Sequence, residues 1–501
     1  MAAQISSPQT PASTPQNGGG SDAESLRKAH RKAARIALYV ALAITAIGTF
    51  ALNKVSELAV QRGGIDIDAR QSWHLVDWER VPEVQLLQRY LRVDTNSRDG
   101  SDLAGAQFLA EELRDMGLEP HIEQLGENNA NLWAIIEGDR PQAVVLHSHI
   151  DVEPIFRPEE WTVEPFGGEI EVPWIYGRGA FDMKSVTVAQ LEAVRRLVET
   201  GEKPRTSVIL LATGTEETGS DLGARWFVRQ HQDLLQRFEV VLTEGGLVEA
   251  LDTGEGKYWG TAFAQRRFYT LMVCSDSRNE LRWVRQYLRA NKAVPGEARL
   301  TPEARIMLPH YGPTRSSPAL RALLEDPERL VKDPVAFERL TPVLQALLRS
   351  EVYASPVRRS AEGGGFEMRV TLHLLPGEDL ESARQRLVPD WLLHGLHWWL
   401  VDRPIADGGS PVDHRAFVEI DRVMSERYPE IPHGPFFLPW TGTDARFFRR
   451  EGIPSYGFSP FLILTPATYS GANPNERISL PGYVEGVEIY ADLLQRLVLE
   501  D

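Results

Sequence analysis

Two polar side chains able to bind or orient a metal ion lie at the end of an apolar run. Residues 144–152 read Val-Val-Leu-His-Ser-His-Ile-Asp-Val, which indicates a strand covered on both faces of a sheet. Side chains two positions apart on a strand share a face, so His149 and Asp151 project together. This spacing predicts that the Asp151 carboxylate accepts the second ring N–H of a metal-binding imidazole. A plain strand end is the alternative interpretation.

Four further carboxylates lie at turns farther along the chain. Asp182 ends the run Tyr-Gly-Arg-Gly-Ala-Phe-Asp before an amphipathic helix, where N-capping of that helix is the alternative role. Glu216 and Glu217 lie in the run Gly-Thr-Glu-Glu-Thr-Gly, and Glu244 precedes two glycines. Of two neighbouring carboxylates, one can bind a metal while the other takes a proton from metal-bound water. A solvent-exposed acidic pair is the alternative for Glu216 and Glu217.

The elements that must position these residues alternate along the chain. Apolar spacing predicts helices over 82–116 and after Lys184. The predicted buried strands cover 131–137, 143–149, 207–212 and 238–243. Such alternation implies a mostly parallel sheet flanked by helices, with ligands bound beyond the carboxyl ends of its strands. All six polar residues fall at or near those ends, and one imidazole with several carboxylates suits zinc, or manganese or cobalt.

Three motifs carry a family resemblance. They are His-Ser-His-Ile-Asp-Val-Glu-Pro at 147–154, Gly-Arg-Gly-Ala-Phe-Asp-Met-Lys at 177–184 and Gly-Thr-Glu-Glu-Thr-Gly at 214–219. As an ordered set, they resemble the aminoacylase and carboxypeptidase family of dinuclear zinc amidohydrolases. Their wording is most similar to the carboxypeptidase S-like branch, which also contains membrane-anchored or secreted N-acyl amino acid hydrolases.

The resemblance implies roles for the six residues. Glu216 would be the general base and Asp151 would orient the metal-binding histidine. The implied metal ligands are His149 and Glu244 on the first ion, Glu217 on the second, and Asp182 on both.

The resemblance also implies a fold and an activity. The fold would be a zinc-exopeptidase-like α/β catalytic domain with an inserted α+β lid domain. The enzyme would use one or two zinc ions, or manganese or cobalt, to hydrolyse a small peptide or an N-acyl amino acid. A homodimer formed through the lid is implied as well.

Three departures from the family pattern concern the chemistry. The metal-binding histidine expected just before Asn475–Ile478 is absent, because no histidine follows His433. The lid histidine expected after its first strand is replaced by Cys274–Arg278, and Thr371 and His373 take the places of the Asn and Arg that grip a substrate carboxylate.

Four residues are candidate substitutes for the missing groups: Asn473 or His147 at the second metal, and His310 or His373 in the lid. For His147, a role in the core or behind the ligands is favoured. These departures motivate a second hypothesis, in which the chain is a catalytically impaired pseudoenzyme that serves as an extracytoplasmic binding module.

Composition and the N-terminal region limit the cellular context. Lys+Arg 54 against Asp+Glu 70 gives a net charge of -16, which argues against nucleic-acid binding. The single Cys274 excludes an intrachain disulfide. Residues 1–30 read as a disordered, basic-ended cytoplasmic tail. Residues 33–53 read as a single-pass transmembrane anchor, which would place the catalytic domain in the periplasm or a lumen. A signal peptide and a buried helix are the alternatives.

The remaining chain divides into three predicted segments. Residues 78–253 form the first half of the catalytic domain, 254–408 the inserted lid domain, and 409–501 the second half of the catalytic domain. The alternating stretch 366–376, which ends in Leu-Leu-Pro, is the clearest lid strand.

Overall fold

The described chain forms three sheets: one large mixed sheet, a smaller five-stranded antiparallel sheet and a three-stranded antiparallel sheet. The computed structural model describes residues 75–250, 256–360, 364–401, 408–461 and 471–500. The predicted tail (1–30) and anchor (33–53) therefore lie outside the described residues and stay predictions. Among the helices that are described, none has the length and apolar character needed to cross a membrane.

The strands are β1 His121–Gln124, β2 Ala130–Ile136, β3 Arg140–His149, β4 Glu169–Glu171, β5 Trp174–Tyr176, β6 Thr206–Thr213, β7 Phe238–Thr243, β8 Leu247–Ala250, β9 Gly256–Gln265, β10 Arg267–Ser275, β11 Glu351–Ala354, β12 Arg358–Arg359, β13 Phe366–Leu374, β14 His397–Leu400, β15 His433–Leu438, β16 Ser455–Gly457 and β17 Arg477–Ser479.

The α-helices are α1 Pro82–Leu91, α2 Asp102–Asp115, α3 Lys184–Glu199, α4 Ala224–Gln230, α5 Gln232–Leu235, α6 Arg278–Ala290, α7 Pro302–Tyr311, α8 Pro318–Glu325, α9 Pro327–Leu330, α10 Pro334–Glu338, α11 Pro342–Ala346, α12 Leu380–Leu387, α13 Arg415–Arg427, α14 Ala445–Arg450 and α15 Leu480–Leu499.

The large sheet has the strand order β1-β2-β6-β3-β7-β16-β9-β15, with β8 paired to β9. Its centre agrees with the predicted parallel sheet, because β6, β3, β7 and β16 are mutually parallel. The prediction of a mostly parallel sheet is wrong at four pairings outside this centre, since β1–β2, β2–β6, β8–β9 and β16–β9 are antiparallel, although the edge pair β9–β15 is parallel. The physical reason is local, since β1–β2 and β8–β9 are joined by short connections that only antiparallel strands permit.

Both faces of the central strands are covered. Val144 and Leu146 of β3 join the apolar cluster that includes side chains of α3 and α15. Ala143 and Val145 join a separate cluster with side chains of α4 and α14. Alternate side chains of one strand thus enter two different layers, as the continuous apolar run predicts.

The smaller sheet has the order β11-β13-β10-β14, with β12 paired to β13, and its pairs are antiparallel. Helices α6 and α12 cover one face with their own apolar cluster. The chain changes from the large sheet to the small one at Arg266, between β9 and β10. Helices α7–α11 also bury side chains in the core of the large sheet. The predicted boundaries at 254 and 408 stay predictions.

Candidate metal centre

His149, the last residue of β3, is the only imidazole in either metal-ligand group that the described residues form. Its Nδ1 lies 2.7 Å from the main-chain carbonyl oxygen of Asp151, which accepts that ring N–H. Nε2 therefore faces the carboxylates, 3.0 Å from Asp182 Oδ1 and 3.6 Å from Glu244 Oε2. Burial lowers the pKa of His149, but the carboxylates of Glu244 and Asp182 outweigh it and raise that pKa well above its ordinary value.

The Asp151 carboxylate has a different partner from the one that the sequence predicts. Its two oxygens accept hydrogen bonds from the main-chain N–H groups of Glu216 (2.8 Å) and Glu217 (2.9 Å). Its distance to Nδ1 of His149 is 3.7 Å, so the carbonyl of the same residue orients the ring. The carboxylate instead holds the turn that carries the two glutamates.

Asp182 lies just before α3, but it does not cap that helix. The N-cap residue is Met183, and no side chain caps the helix there. The main-chain N–H groups of Phe181 and Asp182 donate to Glu476 Oε1 at 2.8 and 3.0 Å. The other Glu476 oxygen accepts from buried Arg178 at 2.5 Å. The Asp182 side chain is thus left to face His149 and the cavity.

Glu216 and Glu217 lie on a single 3-10 turn that follows β6. Oε1 of Glu217 is buried and accepts no hydrogen bond from any described residue, which is the state of a ligand atom without its cation. Burial raises the pKa of Glu216 well above its ordinary value, and repulsion from Asp444 adds to the shift. Burial likewise raises the pKa of Glu217 well above the ordinary range.

Glu244 follows β7 at the same edge of the sheet. Burial, reinforced by the Asp182 charge, raises its pKa to about 7. The next two residues, Gly245 and Gly246, have φ of +105° and +80°. The backbone thus turns sharply here, in conformations that glycine adopts without strain.

The carboxylates of Asp182, Glu216, Glu217 and Glu244 line a cavity of about 400 Å³. Two groups of potential metal ligands have donor atoms within 4.8 Å of one another: His149 with Asp182 and Glu217, and His149 with Glu216 and Glu244. Five of the six predicted site residues thus belong to these two groups, which share His149, and the Asp151 carboxylate contacts the turn that carries Glu216 and Glu217. The nitrogen and oxygen donors, together with the unpartnered oxygen of Glu217, fit a zinc-class cation.

The candidate substitutes for the missing histidines lie elsewhere. Asn473 Oδ1 accepts a hydrogen bond from Arg157 at 3.0 Å. His147 is buried between Thr243 and Thr213 at 2.9 and 3.0 Å, and burial lowers its pKa to about 3. His310 and His373 are absent from the described lining of the cavity. His147 is therefore a residue behind the ligands, as the sequence favours, and the second ion gains no described histidine.

Several supporting residues escaped the sequence analysis. Buried Asp444 accepts a hydrogen bond from the Ser220 hydroxyl, and Arg446 lies 3.8 Å from Glu216 Oε1. Glu476 anchors the turn at Asp182. For Asp444 and Arg446, the sequence signal is the polar run Gly-Thr-Asp-Ala-Arg at 442–446, where the chain has returned to the predicted catalytic domain. The spacing within this run does not show which residues Asp444 and Arg446 contact.

The fold and the site together are those of a metallohydrolase whose ligands lie at the carboxyl edge of a sheet. Residues 145–496 match the model for peptidase family M20/M25/M40. The chain belongs to this family and is an enzyme of the metallopeptidase and amidohydrolase class. The predicted aminoacylase and carboxypeptidase resemblance is confirmed, and the pseudoenzyme hypothesis is not favoured.

Curated relatives and solved structures agree with this assignment. The chain is 27% identical to aminoacylase-1 of Sus scrofa over 428 residues, covering 83% of this chain and 95% of that protein. It is 26% identical to human aminoacylase-1 over 431 residues, covering 84% and 96%.

Two solved structures share the fold. Human carnosine dipeptidase 1 has a TM-score of 0.62 at 14% identity and covers 84% of this chain and 97% of its own. The metallo-carboxypeptidase Sso-CP2 of Sulfolobus solfataricus has a TM-score of 0.61 at 18% identity and covers 83% and 99%.

Proposed function

We propose that this chain hydrolyses peptide or N-acyl amide bonds with metal-activated water and with Glu216 as general base. The observation that carries the proposal is the pair of potential ligand groups, His149 with Asp182 and Glu217, and His149 with Glu216 and Glu244, whose four carboxylates line one cavity. When bound, divalent ions polarise a scissile carbonyl and lower the pKa of a coordinated water.

Glu216 suits the role of the base. A carboxylate whose pKa is raised by burial accepts a proton from the attacking water more readily and can return it to the leaving amine. Arg446, 3.8 Å away, favours the ionised form needed at the start of the reaction. The Asp151 carboxylate holds the turn, so the base keeps its place beside the ligands.

We propose one or two ions per chain, with zinc favoured and manganese or cobalt compatible. His149, Asp182 and Glu244 offer one nitrogen and two carboxylates to the first ion. The second ion would rely on Asp182 and Glu217. Loss of one neutral ligand weakens a site, so the second ion is expected to bind more weakly.

Small peptides and N-acyl amino acids are the proposed substrates. The curated relatives are named aminoacylases, and one solved neighbour is named a carnosine dipeptidase.

The uncharged stretch at 36–52 supports a membrane anchor with an extracytoplasmic catalytic domain. Protease protection of the intact chain in sealed vesicles tests that topology. A homodimer through the lid remains a proposal from the family resemblance.

Glu216→Gln tests the base. We expect turnover of N-acyl amino acids and dipeptides to fall about 10²–10⁴-fold, the usual contribution of general-base catalysis. Metal content and the unfolding midpoint should stay at the wild-type values. The matched control is Glu202→Gln on the exposed surface. Wild-type turnover in the Glu216 variant would contradict the assignment.

A further inference from the structure

Glu153 lines the active-site cavity without a partner. It lies two residues after Asp151 and is half-buried. It forms no hydrogen bond and no ion pair with any residue that the structure describes. A half-buried carboxylate has lost part of its hydration, which is unfavourable when no hydrogen bond or adjacent counter-charge replaces it. An unpaired carboxylate in an enzyme cavity therefore suggests a ligand that completes it.

The nearest basic residue does not supply the missing charge. Arg178 lies close enough to influence Glu153, but its guanidinium donates to Glu476 at 2.5 Å, and both side chains of that pair are 1% exposed. Arg178 also donates to the main-chain oxygens of Pro154 and Ala472. Burial raises the pKa of Glu153, and the attraction of Arg178 offsets only part of this effect.

The other carboxylates of the cavity have roles under the proposed function. Asp182, Glu217 and Glu244 would bind metal, and Glu216 would be the base. No lysine, arginine or histidine is among the described residues that line the cavity. Once bound metal neutralises the ligand carboxylates, Glu153 is the one charged residue of the described cavity lining without a role, and a substrate in the cavity would meet its charge.

We propose that Glu153 binds an ammonium group on the acyl portion of the substrate, so that the enzyme prefers aminoacyl substrates over uncharged acyl ones. This inference rests on the proposed function. The leaving group of such substrates carries a carboxylate, which Glu153 repels, so the acyl portion lies on the Glu153 side. The substrate class is thus a dipeptide with a free α-amino group.

A competing role for Glu153 is replacement of the missing metal histidine. Neither group of potential ligands whose donor atoms lie within 4.8 Å of one another includes Glu153. The inference therefore predicts that Glu153→Gln leaves the number of metal ions per chain unchanged. Loss of an ion from this variant, measured by elemental analysis, would overturn it.

The kinetic test uses substrates that differ by one ammonium group. One matched pair is L-alanyl-methionine and N-propionyl-methionine, and a second is L-alanyl-leucine and N-propionyl-leucine. In the full-length zinc-loaded enzyme we expect kcat/KM for the alanyl compound to exceed that for the propionyl compound about tenfold or more. Glu153→Gln should lower this ratio about tenfold. The control is Glu171→Gln at an exposed site.

A ratio near one in the wild type, or a ratio unchanged in Glu153→Gln, would overturn the inference while leaving hydrolase activity in place. If no pair is turned over, the proposed function fails, and calorimetry with the zinc-loaded Glu216→Gln enzyme still tests the binding. Tighter binding of the alanyl compound that disappears in the Glu153→Gln/Glu216→Gln variant supports recognition by Glu153. Equal binding of both compounds overturns it.

Discussion

His149 and Asp151 show how main-chain groups set the chemistry of this site. The imidazole is fixed by a carbonyl, and the Asp151 carboxylate is engaged by two amide N–H groups of the neighbouring turn. The two-residue spacing between His149 and Asp151 thus connects a candidate metal ligand at the end of β3 with the proposed base after β6.

Asp151→Asn tests this division of labour. Asparagine offers one oxygen, so one of the two amide N–H groups loses its acceptor and the Glu216–Glu217 turn loosens. We expect kcat to fall about 10–100-fold, the usual effect of altering a residue behind the ligands. The first ion should be retained, because the Asp151 carbonyl still orients His149. Loss of that ion with the turn intact would contradict the account, and Asp99→Asn at the surface is the control.

Lys184 gives the folded protein a pH dependence. Its Nζ is fully buried and donates to the carbonyls of Tyr90 (3.0 Å) and Val93 (2.6 Å). Burial lowers its pKa to about 7, against roughly 10.4 in an unfolded chain. Between these values the unfolded state binds more protons, so this group makes the free energy of unfolding rise with pH.

Lys184→Met should therefore flatten the rise in unfolding free energy between pH 7 and 9.5. The measurement is urea unfolding at several pH values, compared with wild type and with the exposed control Lys203→Met. Parallel curves for wild type and Lys184→Met would contradict the lowered pKa.

Residue types and local spacing predicted that the six candidate site residues lie close together, but not all of their contacts. The His-x-Asp spacing correctly placed two side chains together, whereas the choice between a carboxylate and a carbonyl depends on backbone geometry. Glu476 and Asp444 contact residues more than 200 positions away. Such long-range pairs leave no periodic signal in one sequence.

At the scale of elements, the carboxyl ends of β3, β6 and β7 position His149, the Glu216–Glu217 turn and Glu244. Strand β16 lies beside β7 and supports the Glu244 turn from behind. A Cβ added at Gly457 would lie 2.4 Å from the Glu244 carbonyl oxygen and 2.8 Å from Gly245 Cα. This backbone contact admits only glycine without movement.

Gly457→Ala should push the Glu244 turn away from His149. We expect an unfolding free energy lower by about 1–3 kcal/mol, the usual cost of overpacking, together with weaker zinc binding. Chemical denaturation and zinc titration measure the two effects. Gly408→Ala, where an added Cβ has no neighbour within 4 Å, should change neither. Wild-type zinc affinity in Gly457→Ala would contradict the supporting role of β16.

The sequence predicted the central strands from their apolar runs, but it did not predict the strand directions toward the edges of the sheet. Buried strands such as β6 and β7 need continuous apolar side chains, so their bounds were predicted within a residue or two. Whether an edge strand runs parallel or antiparallel depends on the length of the connection to its neighbour and on the strands with which that neighbour pairs. Strand β9 falls in the segment that the sequence assigned to the lid, but it pairs in the large sheet. Nothing in the sequence indicated this pairing, because two of its partners, β15 and β16, come much later in the chain.

At the scale of the whole molecule, the three sheets contribute differently to the candidate site. His149, Glu216, Glu217 and Glu244 lie at or just after the ends of large-sheet strands, whereas Asp182 lies between β5 of the three-stranded sheet and α3. The five-stranded sheet contributes no described residue to the cavity lining. The lid departures seen in the sequence therefore leave the candidate metal centre intact. They alter the region where the family resemblance implies that the substrate carboxylate is gripped.

Metal content coupled to turnover is the most direct test of the account. The full chain, purified in detergent without chelators, should contain at least one zinc-class ion per molecule and hydrolyse dipeptides or N-acyl amino acids. A chelator should abolish turnover, and added zinc should restore it. A folded, metal-free protein that takes up no zinc, or turnover that survives complete metal removal, would contradict the proposed metal-dependent hydrolase.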